Sequence, residues 1–212
     1  MKLYSNYLSS CSHRVRIAIR FKGLAYEYVP VDFSIGEHLS PEYSEISPLN
    51  YVPTLVDDDG MSIADSLAII IYLEEKYPQN PLLPTDPQKK AINLQVASIV
   101  SSSIQPLQVA IMKLPEDKVS RSEKLARINH HIGKGFYALE ELLKGHAGIY
   151  ATGDEVFLGD LFIAPQIHAA VHRFGVDMSQ YPLLSRLNEA YNLIPCFQDS
   201  VPNKQPDAPA AT

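Results

Sequence analysis

Two hydrophobic periods run along this chain, and the switch from one to the other divides it. Leu3-Tyr4 reads as a short strand. His13 to Lys22 reads as a helix with Val15, Ala18, Ile19 and Lys22 on one face, Ile17 and Phe21 beside it, and Gly23 as the stop. Tyr26 to Val31 alternates weakly and is rich in aromatic and β-branched residues, which predicts a strand; Pro30 puts it at a sheet edge or ends it. Ser40-Pro41-Glu42 predicts a helix start with proline at the first helical position. Thr54 to Val56 and Met61 to Ile63 flank Asp57-Asp58-Asp59-Gly60, the pattern of an antiparallel hairpin. Asp65 then caps a helix through Tyr77, and its stretch Leu67 to Leu73 is apolar nearly all round, so burial is expected. The order βαβ, α, ββα predicts one mixed four-stranded sheet with helices, complete by Tyr77.

The prolines then change the pattern. Pro78, Pro81, Pro84 and Pro87 allow neither a helix nor a central strand, so this stretch reads as a stiff linker. Beyond it the period is helical almost to the end. Pro87 to Met112 is one segment with a kink expected at Pro106, and Ser120 to Leu143 is another, weakened by Gly133 and Gly135. Phe157 to Arg173 and Tyr181 to Leu193 follow. The expected layout is an α/β domain at 1–78, a linker at 79–87, and a helical domain at 88–212 that ends in a loose tail from Asp207.

Composition narrows the function. A chain of 212 residues with 46% hydrophobic and 20% charged residues has an ordinary globular core. Its net charge of -6 argues against a nucleic-acid partner, and an anionic substrate would have to be held by local cations. The two cysteines, Cys11 and Cys196, form neither a disulfide framework nor a metal cluster, which fits a reducing compartment. No signal-peptide pattern opens the chain and no apolar run approaches a membrane span, so a cytoplasmic location without a membrane partner is expected.

Candidate chemistry starts at Ser9-Ser10-Cys11-Ser12, just before the first helical run. A helix start offers free N–H groups and partial positive charge, which suits an anion, a thiolate included. The thiol is either that of Cys11 or that of a bound ligand; a plain serine cap is the simplest alternative. Arg14 and Arg16 follow at once, where the helix dipole disfavours cations; either they serve an anion or they pair with acidic side chains on the surface. Val52-Pro53-Thr54 leads into a strand with one backbone donor removed. Asp65 and Ser66 bring a carboxylate, a hydroxyl and helix N–H groups together, which suits a zwitterion as well as a simple cap. His168 and His172 have i, i+4 spacing but no third ligand nearby, so no metal is expected. Arg173 sits where a helix C-terminus favours a cation.

Taken together, Ser9-Ser10-Cys11-Ser12-His13-Arg14-Val15-Arg16-Ile17-Ala18, Val52-Pro53-Thr54-Leu55, Ser66-Leu67-Ala68-Ile69-Ile70, Ile104-Gln105-Pro106-Leu107-Gln108 and Gln205-Pro206-Asp207 resemble the zeta class of glutathione S-transferases, the maleylacetoacetate isomerases, with a plant-like flavour. The resemblance covers essentially the whole chain. It implies a thioredoxin-like N-terminal domain, an all-helical C-terminal domain, glutathione as cofactor and a homodimer. It implies that Ser9 stabilises the glutathione thiolate, with Ser10 and Cys11 lining the same site and Ser12, His13 and Arg14 around it. Val52, before a cis Pro53, would pair its backbone with the cysteinyl part. Asp65 and Ser66 would hold the γ-glutamyl end, Gln105 would add a contact, and Arg173 would bind a substrate carboxylate.

The resemblance also implies a reaction, the isomerisation of maleylacetoacetate to fumarylacetoacetate in tyrosine and phenylalanine degradation, with a side activity on α-halo acids such as dichloroacetate. Four positions depart from the family, the first being Asp65, which stands where Gln is common, though an acid there suits the ligand's ammonium. His38 stands where Gln is frequent and would meet the glycyl end, Val109 stands where Asn is frequent, and Phe157 replaces the Ser or Thr cap three residues before Asp160. Two other readings keep the fold: a thiol–disulfide exchanger working through Cys11, and a non-catalytic interaction module.

Overall fold

Strand β1 (Lys2–Ser5) is central in a four-stranded sheet of order β2-β1-β3-β4. It pairs in parallel with β2 (Glu27–Pro30) and antiparallel with β3 (Thr54–Val56), which pairs antiparallel with β4 (Ser62–Ala64). Pro30 lies at the end of an edge strand, where its missing N–H costs no ladder bond. The computed structural model describes residues 1–210. They form two compact units, one of Met1–Leu82 with the segment from Ile194 onward, the other of Leu83–Leu193.

In the first unit, helix α1 (Ser10–Phe21) begins three residues before the expected start at His13 and stops ahead of Gly23, whose φ of 69° suits glycine. Helices α2 (Pro41–Ile46) and α3 (Ser66–Lys76) start at the expected caps, Ser40 and Asp65. The burial of α3 is one-sided, contrary to expectation: Ile69, Ile70 and Leu73 are buried, while Ile71 and Tyr72 are only half-buried. A helix lying on a sheet and one neighbouring helix has a single covered face, however apolar its sequence.

Lys22, at the end of α1, has a fully buried ammonium that donates to Glu74 (2.7 Å) and to the carbonyls of Tyr77, Gln79 and Asn80. Glu74 in turn accepts from the Leu82 N–H at 2.9 Å. The first half of the proline stretch is therefore fastened to the sheet unit.

The end of the chain departs from the expected layout. The segment from Ile194 belongs to the first unit, and its short helix α9 (Pro195–Gln198) packs on α1. The Asp207 carboxylate accepts from the Tyr7 N–H (2.9 Å) and the Tyr28 hydroxyl (2.7 Å), so the tail is anchored here rather than loose. The last two residues of the expected loose tail lie outside the described ones.

The second unit is helical. Helix α4 (Pro87–Ser98) runs into a π segment, Ile99–Ile104, and then α5 (Gln105–Met112). A kink was expected at Pro106; what stands before that proline, which cannot donate to the ladder, is this widened π turn. By length and composition Pro87–Met112 would reach across a bilayer, which the sequence pattern did not suggest; here α4 packs on α7 and buries Asn93, Val96 and Ala97.

Helix α6 (Arg121–Leu143) is continuous through Gly133 and Gly135, and α7 (Leu158–Phe174) and α8 (Pro182–Tyr191) complete the unit. At the start of α7 half of a capping box survives the Phe157 substitution. Asp160, fully buried, accepts from the N–H groups of Phe157 (2.8 Å) and Ala151 (2.9 Å) and from the Tyr191 hydroxyl (2.6 Å). Phe157 has no acceptor to return the favour. Burial pushes the Asp160 carboxyl up to about 6, against the pull of those three donors.

Candidate functional site

The loop after β1 is shaped by Asn6. Its amide donates to the Val31 carbonyl (3.0 Å), its side-chain oxygen accepts from Leu8 N–H (3.1 Å), and its own carbonyl accepts from Ser9 N–H (3.1 Å). That brings the chain round to Ser9, which is extended (φ -72°, ψ 115°) and caps α1: its Oγ accepts from Ser12 N–H at 3.1 Å. A hydroxyl that accepts in this way still has its proton to donate. Ser9, Ser10 and Cys11 are half-buried at this helix start. The pattern had not marked Asn6; the signal was an Asn at a strand end ahead of a cap, where its amide mimics a turn.

The six consecutive candidates therefore divide. Ser12, His13 and Arg14 are buried (0%, 3% and 1% exposed), and Ser12 Oγ has no hydrogen-bond partner among the described residues. Arg14 reaches across to α3, where its Nη1 donates to Ser66 Oγ at 3.1 Å. Arg16 is fully buried and goes elsewhere: its Nε donates to the Ser200 carbonyl (3.1 Å) and its Nη1 to Ser5 Oγ (3.3 Å). Desolvation lowers its pKa to about 10, which leaves it charged at neutral pH. Neither arginine lies on the surface, where a pairing with exposed acids would place it.

Asp65 is exposed, with φ 75°, outside the usual range for a residue with a side chain. Its Oδ1 accepts from the N–H groups of Leu67 (2.8 Å) and Ala68 (3.3 Å). Ser66, the first residue of α3, is 2% exposed. The start of α3 thus presents an acid on the outside and a hydroxyl backed by a guanidinium.

The Val52–Pro53 peptide is cis, and Val52 packs with Val31 and Tyr43. The carbonyl of Tyr51, just before it, accepts from the Tyr43 hydroxyl (2.7 Å) and Ser47 Oγ (3.0 Å), so this turn is held from beneath. His38 lies in the 3-10 turn Glu37–Leu39 with its ring edge-on to Phe33, centroids 4.8 Å apart. Its Nδ1 is buried, with no hydrogen-bond partner among the described residues.

In the second unit, Gln105 is half-buried at the junction of the π segment and α5. Arg173 is exposed in the last turn of α7, with its guanidinium 5.3 Å from the Phe174 ring centre. His168 and His172 have rings 4.4 Å apart, and no group of three or more potential metal ligands occurs among the described residues. Both cysteines are free thiols, and burial raises the pKa of Cys196.

Comparison with known proteins matches these features to a family. Residues 3–81 fit the model for the glutathione S-transferase N-terminal domain. The chain is 59% identical over 213 residues to a zeta-class glutathione S-transferase of Euphorbia esula, an alignment that spans 100% of this chain and 94% of that one. It is 44% identical over 211 residues to the maleylacetoacetate isomerase of Rattus norvegicus, spanning 98% and 95% of the two chains. Among solved structures it is similar to a maleylacetoacetate isomerase from Anaeromyxobacter dehalogenans 2CP-1, with dicarboxyethyl glutathione and citrate bound in the active site. That similarity has a TM-score of 0.86 and 35% identity, over 98% of this chain and 97% of the other.

Proposed function

The chain belongs to the zeta class of the glutathione S-transferases, glutathione-dependent enzymes, and from that premise we propose that it converts maleylacetoacetate to fumarylacetoacetate. One observation carries the reading. Ser9 Oγ accepts from Ser12 N–H, so its own proton is left to donate at a helix start, where a thiolate is favoured twice over. Ser10 and Cys11 line the same place, Val52 meets the cysteinyl backbone, Asp65 and Ser66 take the zwitterionic γ-glutamyl end, and Gln105 adds a contact. The glycyl carboxylate falls to His38.

The chemistry follows from a bound thiolate. Its sulfur forms a C–S bond to one carbon of the cis double bond, and the π electrons move onto the conjugated carbonyl oxygen as an enolate. The former double bond is now single and rotates. The enolate collapses, the C–S bond breaks, and thiolate leaves with the trans alkene in place, so glutathione is regenerated. Arg173 supplies the cation for a substrate carboxylate. Dicarboxyethyl glutathione, the compound in the Anaeromyxobacter relative, is chemically a protonated thiol adduct of a four-carbon unsaturated diacid, the same class of addition. We extend the proposal to halide displacement from dichloroacetate by the same thiolate, to a place in tyrosine and phenylalanine degradation in the cytoplasm, and to a homodimeric state.

The test is turnover of maleylacetone with glutathione, beside dichloroacetate and an aryl halide. Ser9→Ala should lower kcat/KM for maleylacetone about 10²–10³-fold, as for loss of a donor to a charged reacting group. Cys11→Ser should keep most of the activity, and the reverse pattern would assign the chemistry to Cys11. Arg173→Ala should raise KM for the diacid far more than for the neutral aryl halide. A chain that fails to bind glutathione would be an interaction module instead.

A further inference from the structure

We infer that Arg14 is a positioning residue for the α-carboxylate of glutathione, acting through Ser66. This rests on the reading above that the γ-glutamyl end lies at Asp65 and Ser66. The guanidinium of Arg14 only donates, and its Nη1 lies 3.1 Å from Ser66 Oγ. Ser66 Oγ is therefore an acceptor toward Arg14, and the hydroxyl proton remains for a partner that accepts. A carboxylate meets that requirement and an ammonium does not. Asp65 Oδ1 is already engaged by the N–H groups of Leu67 and Ala68, so the acid at this helix start is set outward and the hydroxyl inward. The two groups divide a zwitterion between them: Asp65 faces the ammonium, Ser66 the carboxylate.

Charge points the same way. Arg14 is 1% exposed and lies early in α1, and its guanidinium touches the first residue of α3. Each helix start carries partial positive charge, so a cation placed there runs against the dipole. Burial shields it from salt and keeps its field effective at short range. An anion bound at Ser66 adds a short-range attraction to that arrangement. Lysine lacks the planar fork, so it would keep the charge but not the direction in which the Ser66 hydroxyl is held.

The experiment measures binding of glutathione and of 4-aminobutyryl-cysteinylglycine, which lacks only the α-carboxylate, by calorimetry. The proteins are the wild type, R14K, R14Q, S66A and R14Q/S66A. The expected result is a wild-type preference for glutathione of 10-fold or more. R14Q should cut that preference at least 5-fold and R14K by about half as much on a logarithmic scale, with affinity for the analogue within twofold throughout. In the S66A background R14Q should have a smaller effect than in the wild type. The ratio of the two affinities is insensitive to a loss of folded protein, so a merely structural arginine would leave it unchanged. A preference that survives R14Q overturns the inference alone. Equal wild-type affinity for the two ligands overturns the reading of the subsite, and the inference with it.

Discussion

Asp160 combines two demands in one side chain. It is buried, so its charged form is costly, and it accepts from two backbone N–H groups and the Tyr191 hydroxyl, so an acceptor is needed there. Its carboxyl is raised from 3.8 to about 6. A raised acid binds its proton more tightly when folded, so its contribution to stability is full below pH ~4 and is lost as pH rises through about 6. The two-unit difference corresponds to about 3 kcal/mol. Urea unfolding of the wild type and Asp160→Asn from pH 4 to 7 should show the wild type losing about that much relative to the variant; a constant difference would exclude the mechanism. At the same scale, Arg14 and Arg16 carry one sequence signal and do different jobs. Their deciding partners, Ser66 and the Ser200 carbonyl, lie 52 and 184 positions away, so no local pattern separates them.

Helix starts in this chain were readable because a start is a local matter. Ser40, Asp65 and Ser120 each accept from an N–H two or three residues on, within one turn of sequence. Helix interiors were less readable. Gly135 counts as a weakness in a propensity sum, yet α6 runs straight through it. A Cβ at this glycine would fall 2.3 Å from Cδ1 and Cγ1 of Ile104, a fully buried residue at the end of the π segment. The glycine is there for a neighbour distant in sequence. Gly135→Ala should therefore destabilise by about 1–3 kcal/mol despite its better helix propensity. Combined with Ile104→Ala, it should cost at least about 1 kcal/mol less than the sum of the single variants, as read in urea unfolding; strict additivity would rule out the contact.

At the scale of the whole molecule, the proline-marked boundary and the helical character beyond it were visible in composition. The return of the chain to the first unit was not, because α9 and the tail are short and have no period of their own. What holds them is polar and distant: Arg16 on the Ser200 carbonyl, and Asp207 on Tyr7 N–H and the Tyr28 hydroxyl. Asp207→Ala removes two hydrogen bonds to a carboxylate and should lower stability by about 2–3 kcal/mol in urea. A loss below about 0.5 kcal/mol would mean that the tail contributes nothing to the unit. The same topology bears on how the protein is made. The helical unit is one uninterrupted stretch and can fold from contiguous sequence, whereas the sheet unit must wait until residues 83–193 have been made before Arg16 finds Ser200. The unit that is begun before the helical one is thus completed after it.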